Sequence, residues 1–179
     1  MELNINRYIV RAFIEKYQGI IGLSSFFNVE DNSHIGMIDA DNMSLKKAEN
    51  LAKKLQDNYK LSDAVILSTG NINSYHIYFL DIKPFMFWIE LNAKVNVKHA
   101  AFALIRKQFV LRISEKEGKN VSFVKVLNHA SDNDRSQPHY QYLSERFKFK
   151  LDIPADKLKG ESKRNLLFSL YNARVRLYE

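Results

Sequence analysis

The chain contains no cysteine. That removes a disulfide scaffold, a thiolate nucleophile, a cysteine-ligated zinc site and an iron–sulfur cluster. It also fits a reducing compartment, so a soluble, cytoplasmic protein is expected. No apolar run approaches the ~18–20 residues that a membrane span needs. The opening Met1-Glu2-Leu3-Asn4 lacks the basic and apolar regions of a signal peptide. There is no internal repeat, low-complexity tract or obvious linker. What is present is a chain of 179 residues that is 46% hydrophobic, enough for one compact domain with a substantial core.

The net charge of +7 is unevenly spread. Residues 1–93 carry 9 Lys/Arg against 11 Asp/Glu, residues 94–125 carry 8 against 2, and residues 142–179 carry 9 against 5. An acidic-leaning half beside a basic half suggests that the later segments meet a polyanion. A generic basic surface is the plainer alternative.

Hydrophobic periodicity predicts a helix over 5–17, with Ile9, Val10, Phe13, Ile14 and Tyr17 on one face. Strands are expected over 25–29 and 34–39, separated by a turn at Glu30-Asp31-Asn32-Ser33. Ser44 can cap a following helix that buries Leu45, Ala48, Leu51, Ala52 and Leu55. Ala64-Val65-Ile66-Leu67-Ser68 reads as a strand covered on both faces. A turn over 69–73 leads to a strand over 75–80, a helix over 97–107 and a strand over 109–114. Val121 to Leu127 is expected to pair with that last strand across a turn at Gly118-Lys119-Asn120. Residues 128–140 read as a polar loop, and 161–177 as a closing helix. The expected fold is therefore α+β, with a βαββαβ core of the ferredoxin-like and RNA-recognition-motif-like kind. It would carry an N-terminal helix within 1–127 and a loop with a basic helical extension over 128–179.

Three places along this order carry residues suited to chemistry. Asp39 and Asp41 stand two apart at a strand end, so alternation puts both carboxylates on one face. Like charges that close repel unless a cation lies between them, and hard oxygens suit Mg²⁺ or Mn²⁺. Alternatively, the aspartates favour the helix N-terminus that follows. Next, Ser74-Tyr75-His76 follows a Gly70/Asn71 turn. His76 is either structural or, facing the aspartates, able to bond a phosphate oxygen or move a proton. Finally, Arg112 lies on a sheet face, where it needs an anion: phosphate or a neighbouring carboxylate.

In that order, Asp39-Ala40-Asp41, Ser74-Tyr75-His76 and Leu111-Arg112-Ile113-Ser114 with Lys116-Glu117-Gly118 resemble motifs of the archaeo-eukaryotic primase superfamily. The resemblance spans roughly residues 35–127. It implies a primase- or primase–polymerase-like nucleotidyltransferase that adds nucleotides on a single-stranded template, as in plasmid or virus replication. Asp39 and Asp41 would hold Mg²⁺ or Mn²⁺ as catalytic residues with His76. Ser74, His76, Arg112 and Lys116 would contact the NTP or dNTP. Lys98, Arg106, Lys107, Lys119, Lys163 and Arg164 would meet single-stranded DNA or RNA. The family's third acid has no clear counterpart: the stretch before Arg112 offers Asn92, Asn96 and Lys98, with Glu90 nearest, and Glu115 and Glu117 lie beyond Arg112. No G-x-x-x-x-G-K-[ST] motif is present, so any helicase partner is a separate polypeptide.

Two alternatives come from other classes. One is a catalytically inactive relative that binds single-stranded nucleic acid or recruits replication proteins, as the missing acid favours. The other is a metal-dependent nuclease using the same carboxylates. His129, Asp132, Asp134 and His139 fit no zinc or EF-hand spacing and read as a solvated loop. Phe85, Phe87 and Trp88 read as core or interface, with base stacking as the alternative. Lys148, Lys150, Lys157, Lys159, Lys163 and Arg164 either track a nucleic-acid backbone or form a solvated face.

Overall fold

The computed structural model describes residues 2–5, 8–11, 19–160 and 167–169. The architecture is mixed α+β, a curled sheet with four α-helices among the described residues. In chain order the elements are β1 (Glu2–Ile5), β2 (Tyr8–Arg11), β3 (Ile21–Ser24), β4 (Phe26–Asn28), β5 (Ser33–Ala40), α1 (Leu45–Tyr59), β6 (Ala64–Ser68) and β7 (Tyr75–Pro84). They continue with α2 (Phe85–Ala93), α3 (Val97–Arg106), β8 (Val110–Arg112), β9 (Ser122–Leu127), β10 (Arg135–Ser136), α4 (Gln137–Phe147), β11 (Leu158–Lys159) and β12 (Leu167–Ser169). No helix among the described residues is long and apolar enough to cross a membrane.

The long strand β7 is the spine of the main sheet. β5 runs antiparallel along one side of it, and β6 antiparallel along the first half of the other. β10 joins beyond β6 at the Arg135–Asp81 pair, with β11 parallel to it. β9 forms the edge outside β6, and β4 the edge outside β5. β5 and β6, joined through α1, are thus neighbours of a common strand rather than of each other. The unbroken apolar run of β6 follows from this central place: Ala64, Val65, Ile66 and Leu67 are fully buried. A second sheet has the order β12-β3-β8, antiparallel throughout.

Helix α1 starts where Ser44 accepts the amide of Lys47, and ends at Lys60 in the left-handed region. Its buried residues Ala48, Ala52 and Leu55 recur at helical spacing. Helix α2 lies on the sheet face that carries Gly36 and Phe79. The Trp88 ring stacks on Phe79, and its indole N–H donates to the His34 carbonyl at 2.9 Å. Glycine at 36 is a packing requirement, because a Cβ there would sit 2.5 Å from the Trp88 ring.

Alternation sends Met37, Asp39, His76 and Tyr78 to the opposite face, and the second sheet approaches that side. Ser25 joins the two sheets: its amide donates to the Phe109 carbonyl, its carbonyl accepts from Ile35, and its hydroxyl pairs with His34 Nδ1 at 2.8 Å. His139 anchors α4 to the same layer through Ser136 at 2.6 Å and the Ser24 carbonyl at 2.8 Å.

The structure departs from the sequence expectations in several places. Tyr8–Arg11 is a strand paired with Glu2–Ile5, not part of a helix over 5–17; residues 6–7 and 12–17 lie outside the described residues. Leu167–Ser169 is a strand on β3, not part of a helix over 161–177; the rest of that segment lies outside the described residues. In both cases the apolar spacing fits either element, and long-range pairing decides. β9 does not pair with β8 across the Gly118 turn. β9 runs along β6, while β8 takes β3 as its partner. The segment 128–140 is not all loop, since β10 and the start of α4 lie within it.

Candidate functional site

The site is built where β5 ends beside the start of β7. Their register sets Asp39 opposite His76 and Ala40 opposite Tyr75, and places His76 opposite Leu67 on β6. His76 Nε2 lies 3.8 Å from Asp39 Oδ1. Asp41 follows in the turn after β5, which passes through Asn42 at φ 57°. The Ser74 hydroxyl donates to Asp41 Oδ1, and the Met43 amide donates to the Asn73 carbonyl at 3.0 Å. The two turns at this end of the sheet are therefore tied together, with both aspartates held between them.

Beyond them opens a cavity of about 480 Å³, within the range of small-molecule sites. Asp39, Asp41, Ser74, His76, Arg112, Lys116, Lys119 and Arg106 all line it. Lys98 and Lys107 lie nearby, on α3 and at its C-cap, but do not line the cavity. Lys163 and Arg164 lie outside the described residues.

The wall facing the aspartates comes from β8 and the turn after it. Lys116 and Lys119 exchange backbone hydrogen bonds at 3.2 and 3.0 Å around Glu117 and Gly118, which have φ of 54° and 75°. Positive φ at both central residues is the type I′ pattern, and Gly118 suits it. Arg112 fastens this turn to the β6–β7 turn. Its guanidinium donates to the carbonyls of Ser114 at 2.6 Å, Lys119 at 2.9 Å and Thr69. Gly70 lies where the two turns touch. It has φ 79°, and a Cβ there would meet the Asn120 carbonyl at 2.8 Å.

Burial governs the electrostatics. Loss of solvent, and then the charge of Asp41, push the Asp39 carboxyl up to about 7. Burial pushes His76 down to about 3, reinforced by Arg112 and His99 and offset in part by the Arg112 backbone. Near neutral pH His76 is therefore an uncharged imidazole, and its contact with Asp39 is not an ion pair between fixed charges. The buried Tyr78 hydroxyl makes no hydrogen bond among the described residues and is raised above its ordinary range, by burial first and by Asp39 second.

The sequence reading did not single out His99, and it named Asn96 only as one of the residues standing where a third acid was sought. Asn96 caps α3 by accepting the His99 amide, and its side chain donates to the Asp39 carbonyl at 3.2 Å. Asparagine ahead of a helical run is a cap signal that could have marked it. His99 bonds Asn92 through Nδ1 at 3.1 Å, while its buried Nε2 makes no hydrogen bond among the described residues. Burial and then Arg106 push its ring down to about 4, against the opposing pull of Asp41. No local pattern marks His99, because only the packing of α3 brings it behind the acid pair.

Asp39 and Asp41 supply hard oxygen donors. Among the described residues no group of three or more His, Asp or Glu is placed to hold a metal ion. A Mg²⁺ site needs only one or two carboxylates when water and substrate phosphate complete it, so the pair fits such an ion. Glu117 also lines the cavity, 3.8 Å from Lys116. The residues of the polar 128–140 segment do not form a second centre. His129 and Asp132 line a separate cavity of about 760 Å³, whereas His139 is buried under β3. Phe85 and Trp88 are core residues. Compared with protein-family models, curated proteins and solved structures, the chain matches none.

Proposed function

We propose that the chain is a nucleotidyltransferase of the archaeo-eukaryotic primase type, adding nucleotides to a strand on a single-stranded template. The observation that carries this reading is the meeting of Asp39, Asp41 and His76 in one cavity with Arg106, Arg112, Lys116 and Lys119. Two carboxylates repel a bare phosphate, so their presence among four cations suits a ligand that brings both phosphate and divalent cation. The order β5-α1-β6-β7-helices-β8, with β7 between β5 and β6, supports an RNA-recognition-motif-like core. In this version β4 rather than β8 lies beside β5.

In this reading Asp39 and Asp41 would hold Mg²⁺ or Mn²⁺, which when bound would supply Lewis-acid neutralisation of charge on the nucleotide phosphates. Lys116, Lys119 and Arg106 bind the phosphates as pre-placed charges, which need no reorganisation as the reaction proceeds. His76, being neutral, contributes a hydrogen bond rather than a charge. Ser74 orients Asp41. Arg112, with its donors on three carbonyls, holds the cationic turn over the acids and adds its field to the cavity.

The test is incubation with single-stranded DNA, labelled nucleotides and Mn²⁺, beside an Asp39→Ala/Asp41→Ala variant. Extension by the wild type alone supports the reading. A non-catalytic single-strand-binding module is the second reading. It is favoured because, among the described residues, no third carboxylate is placed to hold a metal with the pair, Glu117 of the same cavity lying against Lys116 instead. Equal DNA binding with no product from either protein selects it, and shortening of the strand selects a nuclease.

A further inference from the structure

Helix α3 is fixed to the site at both ends. At its start Asn96 donates to the Asp39 carbonyl, and at its end Arg106 lines the cavity. Its inner side is ordinary core: Ala100 and Ala103 are buried, and His99 packs on Phe109 with ring centroids 5.2 Å apart. Its outer side is not an ordinary solvent face. Phe102 is 52% exposed and Ile105 78% exposed, with Val97 and Leu104 also open. Such clustered apolar exposure on a short helix marks a surface that something covers.

The charges around this face identify the cover. Helix α3 and its C-cap carry three cations, Lys98, Arg106 and Lys107, and no acidic residue. A second copy docking the same face would set these like charges against each other. A polyanion with flat apolar faces of its own meets both features. The guanidinium of Arg106 stands 5.7 Å from the Phe102 ring centroid, so cavity and apolar face share one residue.

We propose that α3 is the rim over which a single-stranded nucleic acid reaches the acid pair, bases resting on Phe102 and Ile105 and phosphates on Lys98, Arg106 and Lys107. This rests on the nucleotidyltransferase reading for its direction of travel, though not for binding. The cations follow the sugar–phosphate backbone, while the apolar side chains take the base faces without regard to sequence.

The test uses fluorescence anisotropy with labelled dT20 over a range of salt, on wild type, Phe102→Ala, Ile105→Ser and Lys98→Ala. Loss of the Phe102 platform should weaken binding roughly tenfold while leaving the salt slope unchanged. Lys98→Ala should flatten the slope of log K against log salt by about 0.7, as for one lost phosphate contact on a single strand. Wild-type affinity in both Phe102→Ala and Ile105→Ser overturns the proposal, and so does failure of the wild type to bind dT20. Dissociation of a dimer by these variants with unchanged affinity for dT20 also overturns it, and assigns the face to self-association. If the wild type makes no product but Phe102→Ala still loses binding, the rim stands and the nucleotidyltransferase reading falls. If product forms and both Phe102→Ala and Ile105→Ser bind normally, the rim falls alone.

Discussion

Replacing Asp39 with Asn in chelator-treated protein is expected to stabilise the fold, and to do so increasingly as pH rises. The carboxyl is held at about 7 against an ordinary 3.8, because it is taken from solvent beside Asp41. A folded-state pKa above the unfolded value means that folding takes up a proton between these limits. The stability from that proton is complete below pH 3.8 and is lost as pH rises to about 7. Each pH unit inside the window is worth about 1.4 kcal/mol, so the full effect is about 4 kcal/mol at most. The side chain retains 27% exposure, and solvent screening makes the measured value smaller. Trp88, the single tryptophan, is fully buried and reports unfolding directly. Urea titrations at pH 4, 5, 6, 7 and 8 should show the Asp39→Asn variant gaining on the wild type up to pH 7 and then holding level. Mn²⁺ should stabilise the wild type most at high pH, where the proton leaves easily, and should not stabilise the variant in the same way. A stability difference that is flat with pH, or a variant weaker than wild type at pH 8, refutes the reasoning. Either result would mean that Asp39 is ionised and satisfied by its neighbours.

His139 is buried and pushed down to about 4, so the unfolded chain takes up its proton first as pH falls below 6.5. Wild-type stability should drop by about 1.4 kcal/mol per pH unit from this group between those limits, and His139→Gln should remove that share in acid denaturation. Gly36→Ala forces a Cβ to 2.5 Å from the Trp88 ring; a loss of about 1–3 kcal/mol in urea midpoint is expected, with partial recovery in the Gly36→Ala/Trp88→Phe double variant. Gly70→Ala puts a side chain at φ 79° against the Asn120 carbonyl and, under the proposed nucleotidyltransferase reading, should lower primer extension more than its loss of about 1–2 kcal/mol in stability explains. Arg112→Lys keeps the charge but cannot reach the carbonyls of Thr69, Ser114 and Lys119 together, so under the same proposed reading extension should fall as far as in Arg112→Met.

The elements that could be read locally are those whose burial matches a simple period. Ala64–Ser68 is apolar without a break because strands lie on both sides of it, whereas Asp39 and Asp41 share one cavity with Asp39 on β5 and Asp41 in the turn after it, so strand alternation alone does not place the pair. Helix α2 was hidden because Phe85-Met86-Phe87-Trp88-Ile89 is apolar around the whole helix and shows no face. Helix α4 was hidden for the opposite reason, since only His139 and Leu143 of its eleven residues are buried. Pro138 at its start was the available signal. Strand partners were the least legible feature. Nothing between Gly118 and Val121 says that the chain will leave β8 and cross to β6, because the competing partners differ by long-range packing alone.

The site shows the same division between local and distant information. Residue types and their order along the chain made Asp39, Asp41, Ser74, His76 and Arg112 candidates, but not what each one does. A guanidinium facing two carboxylates suggests an ion pair, yet Arg112 directs its N–H groups to backbone carbonyls, and no carboxylate lies in ion-pair contact with it among the described residues. The acids thus keep their mutual repulsion, and one of them relieves it by holding a proton near neutral pH. Had Arg112 paired with Asp39, the carboxylate would be ionised, satisfied and closed to any cation. By bracing the wall, it leaves the acid pair available to a ligand that brings its own positive charge.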